Sequence, residues 1–305
     1  MIRLLMFLSL ALVTTPALAT VNVVTTLPEF AAIAQEIGGD HVAVKSLTKA
    51  SQDPHFVDAK PSFIMALNRA DLLIINGLEL EIGWMPTLLV QARNPKIQVG
   101  QLGYLDASNY ANEILDKPIG TIDRSMGDIH AGGNPHFSRD PIRMVSIISE
   151  TTQRLCQLEP ASCSVFQENS KKLRARVAQL ISETKAKWDK LPAQSLQVVE
   201  YHRSWIYLFQ TLGINVPIRV ESKPGVAPSP THVAQVVSTI KRNKVQLLLQ
   251  ETSYSSKIMS TISKITKTNH LILSSGPNLD QDEDYVAFMT TLLDKLYRAI
   301  QGEAP

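Results

Sequence analysis

The sequence predicts an α/β protein with two (βα)4-type lobes, each built on a parallel sheet, joined by one long rigid backbone helix. Short β-branched apolar runs alternate with longer stretches of helical period, which is the rhythm of parallel βαβ units. The runs fall into two sets separated by a long gap, and a single uninterrupted helical pattern fills that gap. A chain of 305 residues is long enough for two cores, at about 100 to 200 residues per domain.

The first set of strands is expected at Val21–Thr25, His41–Leu47, Asp71–Asn76 and Lys96–Gln101. The second is expected at Leu196–Tyr201, Val216–Val220, Val245–Glu251 and His270–Leu273. Between them, Ser164 to Leu191 spaces Phe166, Leu173, Val177, Leu180 and Trp188 near helical period, with charged residues interleaved and no Gly or Pro. About 28 residues make a helix of roughly 40 Å, a spine that permits only small closing motions. Pro192 is its stop signal. The expected boundaries are 20–160 for the first lobe, 161–192 for the linking helix and 193–305 for the second lobe.

Residues 1–19 stand apart from the fold. Arg3 provides a basic start, Leu4 to Val13 an apolar run, and Ala17-Leu18-Ala19 small residues at the cleavage positions, the pattern of a secretory signal peptide. The run is shorter than the roughly 20 residues needed to span a bilayer. No cysteine stands directly after the cleavage site, so a freely diffusing periplasmic protein is expected rather than a lipid-anchored one.

Thirty basic residues against 28 acidic ones leave no long-range field, which argues against a nucleic-acid partner. Cys156 and Cys163 flank Leu158-Glu159-Pro160, where a chain reversal would bring them together. In an oxidising compartment this reads as a short disulfide, with two separate thiols as the alternative. A thiolate metal site would need further soft ligands nearby. Gly120 to Asn134, with Gly127, Gly132 and Gly133 in company with Asp123, Asp128 and His130, is expected to be a mobile surface loop.

Of seven histidines, three share a context: Asp53-Pro54-His55-Phe56, Asn134-Pro135-His136-Phe137 and Glu200-Tyr201-His202-Arg203. His55 and His202 lie at the expected carboxyl ends of strands, one in each lobe, where ligands of parallel α/β folds gather. His136 precedes a helix that Asp140 would cap with Pro141 in its first position. Three neutral imidazoles are a strong donor set for Zn²⁺, whereas Mn²⁺ favours more oxygen ligands. His41, His232 and His270 have no ligand-like company and read as structural or exposed.

Nearly the whole chain after residue 19 resembles the solute-binding proteins of zinc and manganese ABC importers. Asp53-Pro54-His55-Phe56-Val57-Asp58-Ala59-Lys60-Pro61-Ser62 is similar to the first ligand motif of that family, with Asp58 where Glu is usual. Asn76-Gly77-Leu78-Glu79-Leu80-Glu81 resembles the turn after it. Asn134-Pro135-His136-Phe137-Ser138-Arg139-Asp140-Pro141 resembles the second motif without its usual Trp, and Tyr201-His202 with Trp205, Tyr207 and Gly213 resembles the third. Glu221-Ser222-Lys223-Pro224-Gly225 and Glu251 also fall where the family has matching residues.

The resemblance implies a periplasmic, monomeric receptor that is not an enzyme and delivers metal to a membrane permease with its ATPase, with a periplasmic metallochaperone as a further candidate partner. Histidine at the third position is similar to the zinc receptors. The family's fourth ligand, a carboxylate after the last strand, is replaced here by Ser274 or Ser275. Water, Glu251, an acidic residue of the run that starts at Asp280, or His130 with Asp128 from the glycine-rich loop could complete the site. The other readings are a manganese or iron receptor of the same fold and an exported zinc hydrolase. The hydrolase lacks both a His-Glu-x-x-His helix and a Gly-x-Ser-x-Gly elbow.

Overall fold

The computed structural model describes residues 20–120, 127–191 and 196–303. The expected signal peptide, Asp123 and Pro192 lie outside these residues. The first sheet contains β1 (Val21–Thr25), β2 (Val42–Ser46), β3 (Leu72–Ile75) and β4 (Tyr104–Asp106) in the order β2-β1-β3-β4, all parallel. Successive side chains alternate between its faces. Val23, Leu72 and Ile74 pack with α1 (Pro28–Gly38), whereas Val24, Leu73 and Ile75 pack with α2 (Pro61–Arg69) and α3 (Met85–Ala92).

The sheet is followed by α4 (Pro141–Leu158), which starts as expected: the Asp140 carboxylate accepts the Ile142 N–H and Pro141 occupies the first turn. Next comes α5 (Cys163–Trp188), 26 residues long, or about 39 Å at 1.5 Å per residue. Cys156 on α4 and Cys163 at the start of α5 form the disulfide, closing the turn between the two helices.

In the second half, β5 (Val198–Glu200) is followed by α6 (Ile206–Leu212), α7 (Pro230–Asn243), β6 (Leu247–Glu251), α8 (Lys257–Thr266), β7 (Asn269–Leu273) and α9 (Tyr285–Ile300). The parallel sheet is ordered β5-β6-β7. Val199 and Leu248 face α7 and α8, while Leu247 and Leu249 face the side of α6 and α9.

Two of the expected strands differ. Lys96–Gln101 forms a 3-10 turn at Pro95–Ile97 and then runs exposed, with Ile97 buried, and the edge strand comes later at Tyr104. Residues 216–220 run beside β5 without forming a ladder strand, so the second sheet has three strands among the described residues, not four. Pro217 has no N–H to donate. The segment rejoins only at its end, where the N–H groups of Val220 and Glu221 donate to the carbonyls of Glu200 and Tyr201, each at 3.0 Å.

The main core is continuous across both halves. It includes Val23 and Ile74 of the first sheet, Phe166, Leu173 and Val177 of α5, and Leu247 and Leu249 of the second sheet. Arg176 on α5 adds a polar tie, pairing with Glu36 of α1 and with Asp284, which caps α9, at 2.8 Å. Among the described residues, no helix is long and apolar enough to cross a membrane.

Candidate metal centre

Loops that follow strands of both sheets carry the histidines and bring them together. His55 sits after β2 in a tight Asx turn, where Asp53 Oδ1 accepts the His55 N–H at 3.0 Å and lies 2.7 Å from its Nδ1. Trp84 Nε1–H fixes the same turn by donating to the Pro54 carbonyl at 2.9 Å. An ionised carboxylate can only accept, so Nδ1 of His55 carries the proton and Nε2 is the free donor atom.

His136 lies on a short 3-10 turn held from both halves of the molecule. Asn134 Oδ1 accepts its N–H at 2.9 Å, while the Asn134 amide donates to the Arg203 carbonyl at 2.8 Å. Asn76, just beyond β3, donates to the Pro135 carbonyl at 2.9 Å, and Tyr285 of α9 donates to the Ser138 carbonyl at 3.2 Å. Phe137 fills the main core.

His202 follows β5. Its Nδ1 lies 2.7 Å from Glu221 Oε2 and its ring stacks on Tyr254 at 5.7 Å. The three imidazoles are buried, and their donor atoms lie within 4.8 Å of one another. Nε2 of His136 and Nε2 of His202 are 3.1 Å apart.

The described part of the glycine-rich loop is packed, not a free surface loop. The Asp128 N–H donates to the Pro224 carbonyl at 2.8 Å and the Ala131 N–H to Glu79 Oε2 at 2.9 Å. This folds His130 under cover, 5.3 Å from His55 between ring centroids, so that His55, Asp128 and His130 form a second donor group sharing His55. Nε2 of His55 and Nε2 of His130 are both buried without a hydrogen-bond partner. Such atoms are costly unless something else engages them. A cavity of about 440 Å³ opens beside them, lined by Asp128, His130, His136, His202, Arg203 and Pro224 among others.

Protonation follows from burial and neighbours. Burial holds His136 well below the ordinary histidine range, reinforced by the Arg139 guanidinium. Burial and then His55 push His130 down to about 4. For His202 burial acts downward too, but Glu221, Glu251 and Asp53 together outweigh it and raise the imidazole.

The other candidates for the fourth position fall elsewhere. Asp280 is exposed and pairs with Lys49 at 2.9 Å, so the structure does not bring it to the histidines. Glu251 is fully buried and lies 3.4 Å from Arg139, outside both donor groups. That arginine also donates to the Ser204 carbonyl at 3.2 Å and sits over the Trp205 ring at 4.9 Å. Ser274 donates to the Gly276 carbonyl at 2.7 Å, and Ser275 is buried. His41, His232 and His270 are hydrogen-bonded to Ser162, the Arg219 carbonyl and Gln250. Sequence reasoning missed the carboxylate partners of the imidazoles. Asp53 was legible as an acceptor two residues before a histidine, whereas Glu221 carried no local sign of its partner.

Two parallel sheets joined through one long helix, with buried histidines from the loops after them converging, are the architecture of a substrate-binding protein. The chain belongs to the family described as zinc-uptake complex component A periplasmic (ZnuA), whose family model matches residues 23–299. Members of this class are the metal-binding, substrate-binding components of ABC importers. The chain is 26% identical over 269 residues to YfeA of Yersinia pestis, named an iron-binding protein, covering 84% of this chain and 80% of that one. It is 24% identical over 247 residues to PsaA of Streptococcus pneumoniae, named a manganese ABC transporter substrate-binding lipoprotein, covering 80% and 76%. In fold it matches a crystal structure of ZnuA with a TM-score of 0.76 at 20% identity, over 92% of this chain and 99% of the other.

Proposed function

We propose that this protein is a periplasmic high-affinity Zn²⁺ receptor that binds the ion between its lobes and delivers it to the permease and ATPase of an ABC importer. Residues 1–19 act as the export signal, 20–160 and 193–305 as the lobes, and 161–192 as the link, in a monomer. Nε2 atoms of His55, His136 and His202 bind the ion, and His130 with Asp128 meets it from the glycine-rich loop.

The observation that carries this reading is the convergence of three buried imidazoles, with Nε2 of His55 left unpartnered. Nitrogen donors suit Zn²⁺ better than Mn²⁺. Relatives named for iron and manganese, and the oxygen donor that Asp128 places 3.6 Å from Nε2 of His55, favour a manganese or iron receptor as the second reading.

The test is metal analysis of protein purified without added metal, followed by chelator-controlled competition among Zn²⁺, Mn²⁺ and Fe²⁺. Zn²⁺ is expected to win by orders of magnitude. Preference for Mn²⁺ or Fe²⁺ would replace the zinc assignment, and wild-type binding by the His55, His136 and His202 alanine variants would remove the site.

A further inference from the structure

We infer that Asp53 and Glu221 are positioning residues that set the donor strength and metal preference of this centre without touching the ion. The inference rests on the three-imidazole reading above. Each lobe contributes one dyad. Asp53 Oδ1 is 2.7 Å from Nδ1 of His55 and is itself held by the His55 N–H. Glu221 Oε2 is 2.7 Å from Nδ1 of His202 and accepts the Gly225 N–H at 3.3 Å. Both imidazoles are almost sealed, with side chains 4% and 5% exposed. Each carboxylate therefore fixes its ring with the proton on Nδ1 and the Nε2 lone pair turned toward the other histidines.

The charges complete the argument. Imidazole donors bring none, and after β7 the Ser274 hydroxyl is engaged by the Gly276 carbonyl. A divalent ion held by the three imidazoles would face neutral nitrogen there, with Asp128 in the neighbouring donor group, while Asp53 and Glu221 supply two further negative charges one hydrogen bond away. Charge so placed strengthens the nitrogen donors and leaves the ion's own contacts soft, which favours Zn²⁺ over oxygen-seeking Mn²⁺.

The experiment uses Asp53→Asn, Glu221→Gln, Asp53→Ala and Glu221→Ala in the mature protein, with His136→Ala as a reference. Amides retain an oxygen that can accept from Nδ1–H but remove the charge. In chelator competition at pH 8.5, each amide variant is expected to bind Zn²⁺ about 10- to 100-fold more weakly and to narrow the Zn²⁺/Mn²⁺ preference. In metal-free protein, long-range ¹H–¹⁵N spectra should show Nδ1–H at His55 and His202 in wild type and amide variants, and mixed tautomers in the alanine variants. Amide variants within threefold of wild type would overturn the inference, as would Nε2–H tautomers in the wild type. If His136→Ala also binds like wild type, the site reading itself fails. If His136→Ala loses the metal while both amides keep it, only the present inference fails.

Discussion

Nε2 of His136 and Nε2 of His202 are 3.1 Å apart, one from the turn before α4 and the other from the loop after β5. Donors at the corners of a tetrahedron, each about 2.05 Å from a central Zn²⁺, are about 3.3 Å from one another. The pair is thus spaced close to one edge of such a site.

Removing any of these donors should be severe. His55→Ala, His136→Ala and His202→Ala are each expected to weaken Zn²⁺ binding by more than about 100-fold, since loss of a mere supporting partner costs about 10- to 100-fold. His130→Ala, from the neighbouring donor group, should cost less, on the order of 10-fold. Equal losses for all four in a chelator titration would show that His130 ranks with the inner three.

The loop that carries His130 depends on Gly127. Its φ is +87°, and a Cβ there would come 2.5 Å from the Pro224 carbonyl oxygen. Gly127→Ala should therefore lift the loop and reproduce the His130→Ala affinity with His130 intact. A variant that binds like wild type would uncouple the loop's seat from the metal.

Acid should weaken the metal-free fold through His130 and His136. Burial pushes His130 down to about 4 and also lowers His136, whereas unfolded both titrate near 6.5. Between about 4 and 6.5 the unfolded chain takes up protons that the native chain refuses, so stability falls as pH falls. Other groups act oppositely. Glu81, pushed up to about 7 by burial, contributes stability that is present at low pH and lost as pH rises. Comparison with His130→Asn isolates the histidine effect: wild type should lose more Tm than the variant between pH 7 and pH 5. Parallel curves would refute it.

Arg139 and Glu251 form a buried pair 3.4 Å apart. Arg139→Met leaves Glu251 without its counter-charge and should cost about 3 to 5 kcal/mol in denaturant unfolding. Adding Glu251→Gln should restore much of that loss. Additive destabilisation would mean that the two are not a functional pair.

The disulfide should matter for stability alone. A link across seven positions constrains the unfolded chain by about 2 kcal/mol. Cys156 lies on α4 15 residues beyond its first residue, about 22 Å along the axis. Replacing both cysteines with serine is expected to lower the unfolding midpoint while the Zn²⁺ affinity stays unchanged, as measured in paired denaturant and competition titrations.

Much of the fold was legible because burial on both faces of a parallel sheet writes continuous apolar runs. Leu72–Ile75 and Leu247–Leu249 are such runs, and α5 announced itself through its spacing. The edges were harder to read. Val99 stands 75% exposed in a run that resembles a strand, while Tyr104–Asp106 is too short to show a pattern. At the site, His55, His136 and His202 were visible through their motifs. The approach of His130 to His55 was not, because it depends on a contact between Asp128 and Pro224, far apart in sequence.

The continuous core has a consequence for communication with the membrane. Two halves packed through one body of hydrocarbon have little slack with which to advertise cargo by a change of outline. A difference between empty and loaded forms is then expected locally, in the loops joined by the Asp128–Pro224 hydrogen bond. A transporter that avoids wasting ATP on empty receptors has to read those loops by touch.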